Sequence, residues 1–205
     1  MASKKKKRGY HHGDLRNALI QAALAQIAVS GGVHSLSLRE VARSAGVSHA
    51  AAYRHFRNKE DMLAAIAEQG FVLLGHALQA AIEQYSGNSL AAFKASGIAY
   101  VEFSVGHPEH LQVMFGGALN GFARWPSLQK ASQHAYDLLK TSVRKALQAG
   151  EISGDEDTIA LAAWSLVHGL AQLIVGGQIP HAKQSPRHLA QTLTALLAQA
   201  LQANV

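Results

Sequence analysis

The sequence predicts an all-α protein of about nine helices. Apolar residues recur at helical spacing along most of the chain, and no stretch between turn signals sustains the apolar–polar alternation of a strand. Residues 37–59 add a more specific signal, two short helices joined by a tight turn that contains glycine.

Taken in order, residues 1–12 read as a flexible basic arm. Gly13-Asp14 is placed to cap a first helix that reaches about Ser30, with Leu19, Ile20, Ala23, Leu24 and Ile27 on one side, and Gly31-Gly32 ends it. Ser37 and Glu40 have the spacing of a capping box. Leu38, Val41, Ala42 and Ala45 then form the apolar face of the second helix. Gly46 follows, where a helix end favours a left-handed residue, Val47 points inward, and Ser48 caps a third helix over about 49–56. Asn58 caps a fourth, with Glu60 and Asp61 in the first turn, where the helix dipole favours acids. That helix runs to about Tyr85 and stops at Ser86-Gly87-Asn88. Glycine and proline breaks then leave five more helices, at about 89–105, 108–115, 127–148, 156–175 and 187–203. The organisation is an arm over 1–12, a helix-turn-helix module over 13–60 and a helical remainder over 61–205, with no internal repeats.

The two-helix pattern alone equally describes a helical hairpin with alanines in its core. The flanking residues decide between the readings. Tyr53, His55 and Lys59 cluster at the end of the third helix, with Arg39, Arg43, Arg54 and Arg57 nearby. Such side chains suit phosphate oxygens, whose contacts fix the register of a protein on a duplex. Ala50, Ala51 and Ala52 keep the helix slim enough for a groove about 12 Å wide. The charge agrees. Residues 1–70 carry eleven basic against five acidic side chains, and residues 71–205 carry eight of each, so the net +6 lies on the helix-turn-helix third. A solubilising tail accounts for the basic run at 4–8 but not for the basic residues between 39 and 59.

Over residues 9–70 the chain resembles the TetR/AcrR-type transcriptional regulators. The matching residues are Ser37-Leu38-Arg39-Glu40-Val41-Ala42, Ala45-Gly46-Val47-Ser48, Tyr53-Arg54-His55-Phe56 and Asn58-Lys59-Glu60, with residues 9–16 similar to one branch. Trp164, His168 and Gly169 resemble the Trp-His-Gly signature of one effector-domain branch. The resemblance implies a homodimeric regulator, most often a repressor, on a palindromic operator. It implies DNA contacts from Ser37, Arg39, Ser48, His49, Ala51, Tyr53, His55 and Lys59. The three alanines depart from a hydrogen-bonding recognition helix, so base readout would rest on Arg39, Ser48, His49 and alanine contact with a thymine methyl.

With no cysteine, disulfides and thiolate metal sites are excluded, in keeping with a reducing cytoplasm. The N-terminal apolar stretch is interrupted by Asp14, Arg16, Asn17, Gln21 and Gln26, unlike a signal sequence. Residues 158–178 lack charge and are long enough for a bilayer, but Ser165, His168 and Gln172 favour a helix buried on all sides, and no membrane partner is expected. Twelve histidines include His11-His12, His107 with His110, and His181 with His188, none in HExxH spacing, so neither metal nor cofactor is expected. No nucleophile elbow or phosphate-binding glycine loop supports an enzyme.

In the second part Tyr100, Phe103, Met114, Phe115, Phe122, Trp125, Trp164 and His168 fit either a plain helical core or the wall of a small-molecule cavity. The resemblance implies the cavity, holding a small-molecule effector. The last helix carries Leu189, Leu193, Leu196, Leu197 and Leu201 in a stripe that suits internal packing and suits a dimer bundle with the 156–175 helix. Two other functions also fit parts of the chain: a sequence-independent DNA-coating protein, and a helical ligand-binding or enzymatic protein whose helix-turn-helix is incidental.

Overall fold

The computed structural model describes residues 12–179 and 184–202, and the side chains from residue 15 onward within them. Residues 1–11 of the expected arm, Pro180 and His181 lie outside the described residues, and His12 is already in the first helix. Among the described residues the chain forms α1 (His12–Ser30), a 3-10 turn (Val33–Ser35), α2 (Leu38–Ser44), α3 (His49–His55), α4 (Lys59–Glu83), α5 (Ser89–Gly106), α6 (Pro108–Phe115), α7 (Pro126–Gln148), α8 (Glu156–Val175) and α9 (Pro186–Leu201). They include no strand, and the all-α fold stands.

Helix α1 buries Leu19, Ile20, Ala23, Leu24 and Ile27 as its spacing requires. It begins at His12, so Gly13 and Asp14 lie within its first turn, and their side chains fall outside the described residues. The 3-10 turn after Gly32 was not foreseen; it buries Val33 under α1 and brings the chain to Ser37. Ser37 has the extended backbone of an N-cap, but its side chain makes no capping bond. Glu40 pairs with Arg43 one turn on and does not reach back, so the capping box is absent. Ser48 and Asn58 do cap. Ser48 Oγ accepts from the Ala51 amide at 3.2 Å and Asn58 Oδ1 from the Asp61 amide at 2.8 Å.

Helix α4 organises the molecule. Its residues 62–67 are all buried. Six consecutive buried positions cover every direction around a helix, so this segment is enclosed and not merely packed on one face. Helix α4 touches α1 on one side and α5, α6 and α7 on others. One core runs from Leu19 in α1 through Met62 and Ile66 to Val101 and Leu170. A smaller cluster around Phe93, Val143, Ile152 and Ile159 closes the far end.

By length and composition α4 and α8 are each apolar enough to cross a bilayer. Helix α8 was expected to be buried all round. Instead it buries Ile159, Ala160, Ala163, Val167, Leu170 and Ala171 and leaves Leu161, Leu173 and Val175 open to solvent in the single chain.

Between α2 and α3 the backbone turns at Gly46 with φ +69°, a conformation costly for any residue with a Cβ. No heavy atom lies within 4 Å of where a Cβ would stand, so the cost of a side chain there is conformational and not steric. Gly46→Ala should lower unfolding stability by about 1–2 kcal/mol and Gly46→Asn by less, read from urea denaturation of the purified protein.

Candidate DNA interface and effector cavity

Helices α2 and α3 are locked by a short turn. The Val47 amide donates to the Ala42 carbonyl at 3.0 Å and the Gly46 amide to Arg43 at 3.1 Å. At about 100° per residue, positions 51, 52 and 56 of the α3 segment fall on one side and 49, 50, 53 and 54 on the other. Ala52 and Phe56 accordingly join the core, and the Arg16 guanidinium lies 5.5 Å from the Phe56 ring centre. His49, Ala50, Tyr53 and Arg54 face solvent.

Ala51, expected to face DNA, is only 8 % exposed. It shares the inward side of α3 with Ala52, so the alanine left for groove contact is Ala50. His49 and Tyr53 meet edge to face, ring centres 4.6 Å apart, and present an imidazole and a phenol side by side on the outer face. Ser48 and Arg39 are exposed, while Ser37 and His55 are half-buried. Lys59 is half-buried in the first turn of α4, and its Nζ donates to the His34 carbonyl at 2.7 Å, so reaching a phosphate means exchanging that bond. The structure thus gathers the expected residues around one outward helix, Ala51 excepted.

A second set of contacts holds the start of α4. Arg57 donates to Asp61 at 2.7 Å, and the Trp125 indole N–H donates to the same carboxylate at 3.2 Å. These donors hold the Asp61 carboxyl below the usual carboxylate range, the Arg57 hydrogen bond foremost. Arg124 pairs with Glu60 at 2.9 Å and Ser127 donates to Glu68 at 2.9 Å. The chain between α6 and α7 is therefore strapped to the segment that follows the recognition helix.

Past that strap lies a cavity of about 360 Å³ among α4, α5, α7, α8 and α9. Phe71, Leu74 and Leu78 of α4 form one wall. Of the residues expected from sequence, Tyr100, Phe115, Phe122 and Trp164 line it. The others lie elsewhere. Phe103 and Met114 are buried in the core away from the cavity, with Met114 against Gly70 of α4. Trp125 belongs to the strap. His168 stands behind Tyr100, its Nδ1 2.7 Å from the phenol oxygen, its ring against Phe115 and Trp164. The wall residues that sequence reasoning missed are Phe71, Leu74, Leu78, Phe93 and Tyr136. The helical period at 71, 74 and 78 was a usable signal, but it reads equally as core.

Burial pushes the Tyr100 phenol up to about 12, so it stays neutral. Burial also lowers the basicity of His168, and of His110, where His107 adds repulsion.

A helix-turn-helix head carried on a helix that continues into the wall of a half-open apolar cavity is the arrangement of a DNA-binding regulator with a ligand-binding domain. Residues 19–66 match the model for bacterial regulatory proteins of the tetR family, and residues 93–198 match the tetracyclin repressor-like C-terminal domain. The chain belongs to the TetR family. A Rhodococcus sp. RHA1 protein of unknown function is 36% identical, with 96% of this chain and 100% of that one covered at a TM-score of 0.82. The regulator FadR from Bacillus subtilis in complex with stearoyl-CoA is 17% identical, with 90% and 98% covered at 0.75. AibR in complex with isovaleryl coenzyme A and operator DNA is 20% identical, with 89% and 97% covered at 0.71.

A histidine whose folded pKa is lowered binds its proton later than in the unfolded chain. Stability is then full above the ordinary histidine pKa and falls as pH drops through it. Thermal melts from pH 7.5 to 5 should show that loss, and His168→Asn should reduce it without removing the part due to His110.

Proposed function

We propose that this chain is a cytoplasmic, homodimeric transcriptional repressor that grips a palindromic operator and releases it when a small molecule fills the cavity. The proposed division is an arm over 1–12, a DNA-binding module over 13–60, and an effector-binding and dimerisation part over 61–205. No membrane partner, cofactor or catalysis is part of the proposal.

The observation that carries it is the continuity of α4. One end follows α3 within three residues, and further along Phe71, Leu74 and Leu78 face the cavity. A ligand that prefers one setting of α4 alters the separation of two recognition helices, and without that preference nothing shifts. Family neighbours solved with acyl-CoA ligands, one of them on operator DNA, support the same reading. A dimer is supported by the apolar side chains left exposed on the last two helices, Leu161 (57%) and Val175 on α8 and Leu196 (56%) on α9. Two heads about 34 Å apart would read both halves of a palindrome.

Duplexes selected from a random pool should yield one palindrome. Tyr53→Phe removes a phosphate donor and keeps the His49 contact, so anisotropy should show about tenfold weaker binding to every duplex. His49→Ala should shrink the preference for operator over scrambled duplex about tenfold. Wild-type affinity in Tyr53→Phe at low salt would count against this assignment. Leu161→Glu with Leu196→Glu should give a folded monomer by light scattering, with operator affinity at least tenfold lower; an unchanged dimer mass would place the interface elsewhere.

A further inference from the structure

Nearly every polar group in the cavity wall already has a partner within the protein. Ser96 Oγ donates to the Phe93 carbonyl at 2.7 Å, Thr194 Oγ1 to the Ala190 carbonyl at 2.8 Å, and the Tyr100 phenol is paired with His168. Ser132 and Gln133 bond to Gln129 and Asp137 of their own helix. Lys94 differs. It is the one formally charged residue in the wall, half-buried on α5, and no carboxylate lines the cavity with it. Among the described residues it makes no ion pair or hydrogen bond; Lys130 and Lys145 on α7 make none either, but neither lines the cavity, while Lys140, Arg144 and Arg187 are paired.

A cation beside a dry apolar wall attracts an anion more strongly than one in open water, because the local dielectric is low. The remaining wall is mostly hydrocarbon and ring faces, and its few free hydrogen-bonding groups, the Tyr136 phenol among them, are too sparse to orient a sugar or a peptide. The volume sets the size. At about 30 Å³ for a water-sized group, the 360 Å³ cavity holds about a dozen non-hydrogen atoms.

We infer that the cavity takes a linear hydrocarbon chain of about ten carbons that ends in an anion, with the chain against Phe71, Leu74 and Val167 and the anionic end on Lys94. This rests on the effector reading above and gives that site its ligand class. The anion is the chain's own carboxylate, because an acyl-coenzyme A ends its chain in an uncharged thioester and carries its phosphates beyond the pantetheine arm, out of reach of Lys94 while the chain fills the cavity.

Calorimetric titration of the full-length protein with decanoate, decanol, decyltrimethylammonium and decanoyl-coenzyme A tests this. Decanoate should bind at least tenfold more tightly than decanol and than decanoyl-coenzyme A, and the ammonium compound most weakly. A coenzyme A ester that binds as tightly as decanoate would overturn the carboxylate assignment. Lys94→Met should bring decanoate down to the affinity of decanol and leave decanol unchanged, which also shows that the variant folds. Ala163→Phe should remove all binding by filling the cavity. Equal binding of decanoate and decanol, unchanged anion affinity in Lys94→Met, or no binding of any probe would overturn the inference. Operator binding is measured beside each titration. A protein that holds its operator but shows no anion preference loses the ligand class and keeps the regulator reading; one that shows the preference but ignores duplex DNA does the reverse.

Discussion

Everything in this molecule depends on the enclosure of α4 over residues 62–67. A helix surrounded on all sides cannot roll to expose a different face without opening the core, and cores are close-packed and resist continuous deformation. Sliding or tilting as a unit is the movement left to it. The enclosure also explains why the small residues Ala64, Ala65 and Ala67 stand between Met62, Leu63 and Ile66. They let α1 and the helices of the body approach the same segment closely. The head and the body are therefore two ends of one packed structure, with a core shared from Leu19 to Leu170.

The strap from Phe122 to Ser127 gives that enclosure a second role. Phe122 lines the cavity, and three to five residues later Trp125 and Ser127 hold α4 at Asp61 and Glu68. Whatever fills the cavity thus touches α4 twice, through Phe71, Leu74 and Leu78 on its own surface and through a loop fastened near its origin. The surface pairs in the strap are individually weak. The Trp125–Asp61 bond is better sheltered, since only 14% of the Asp61 side chain is exposed.

Much of this was legible in the sequence, and for identifiable reasons. Glycine and proline mark helix ends by backbone chemistry alone, so the limits of α5 to α9 follow within a residue or two. Ser48 and Asn58 cap as their positions require, because the bond is local. Where a local signal had a competitor it failed: Glu40 found Arg43 within one turn, and the reach back to Ser37 was lost. Ala51 was misplaced because in a helix of seven residues a single step around the axis separates the groove face from the core. The cavity was the least legible part. Phe103 and Phe122 look alike in sequence, and only the packing of five helices decides which of them meets empty space. The partnerless state of Lys94 is likewise invisible without knowing where the carboxylates of neighbouring helices end up.

The chain has two tryptophans, and the fold sends them to opposite ends of the same mechanical path. Trp164 forms part of the cavity wall beside Phe115 and Tyr136, while Trp125 is fastened to the carboxylate just beyond the recognition helix. The protein consequently carries its own pair of optical reporters, one for occupancy and one for the state of the reading head. Emission from variants retaining a single indole can time the two events separately, without any added dye.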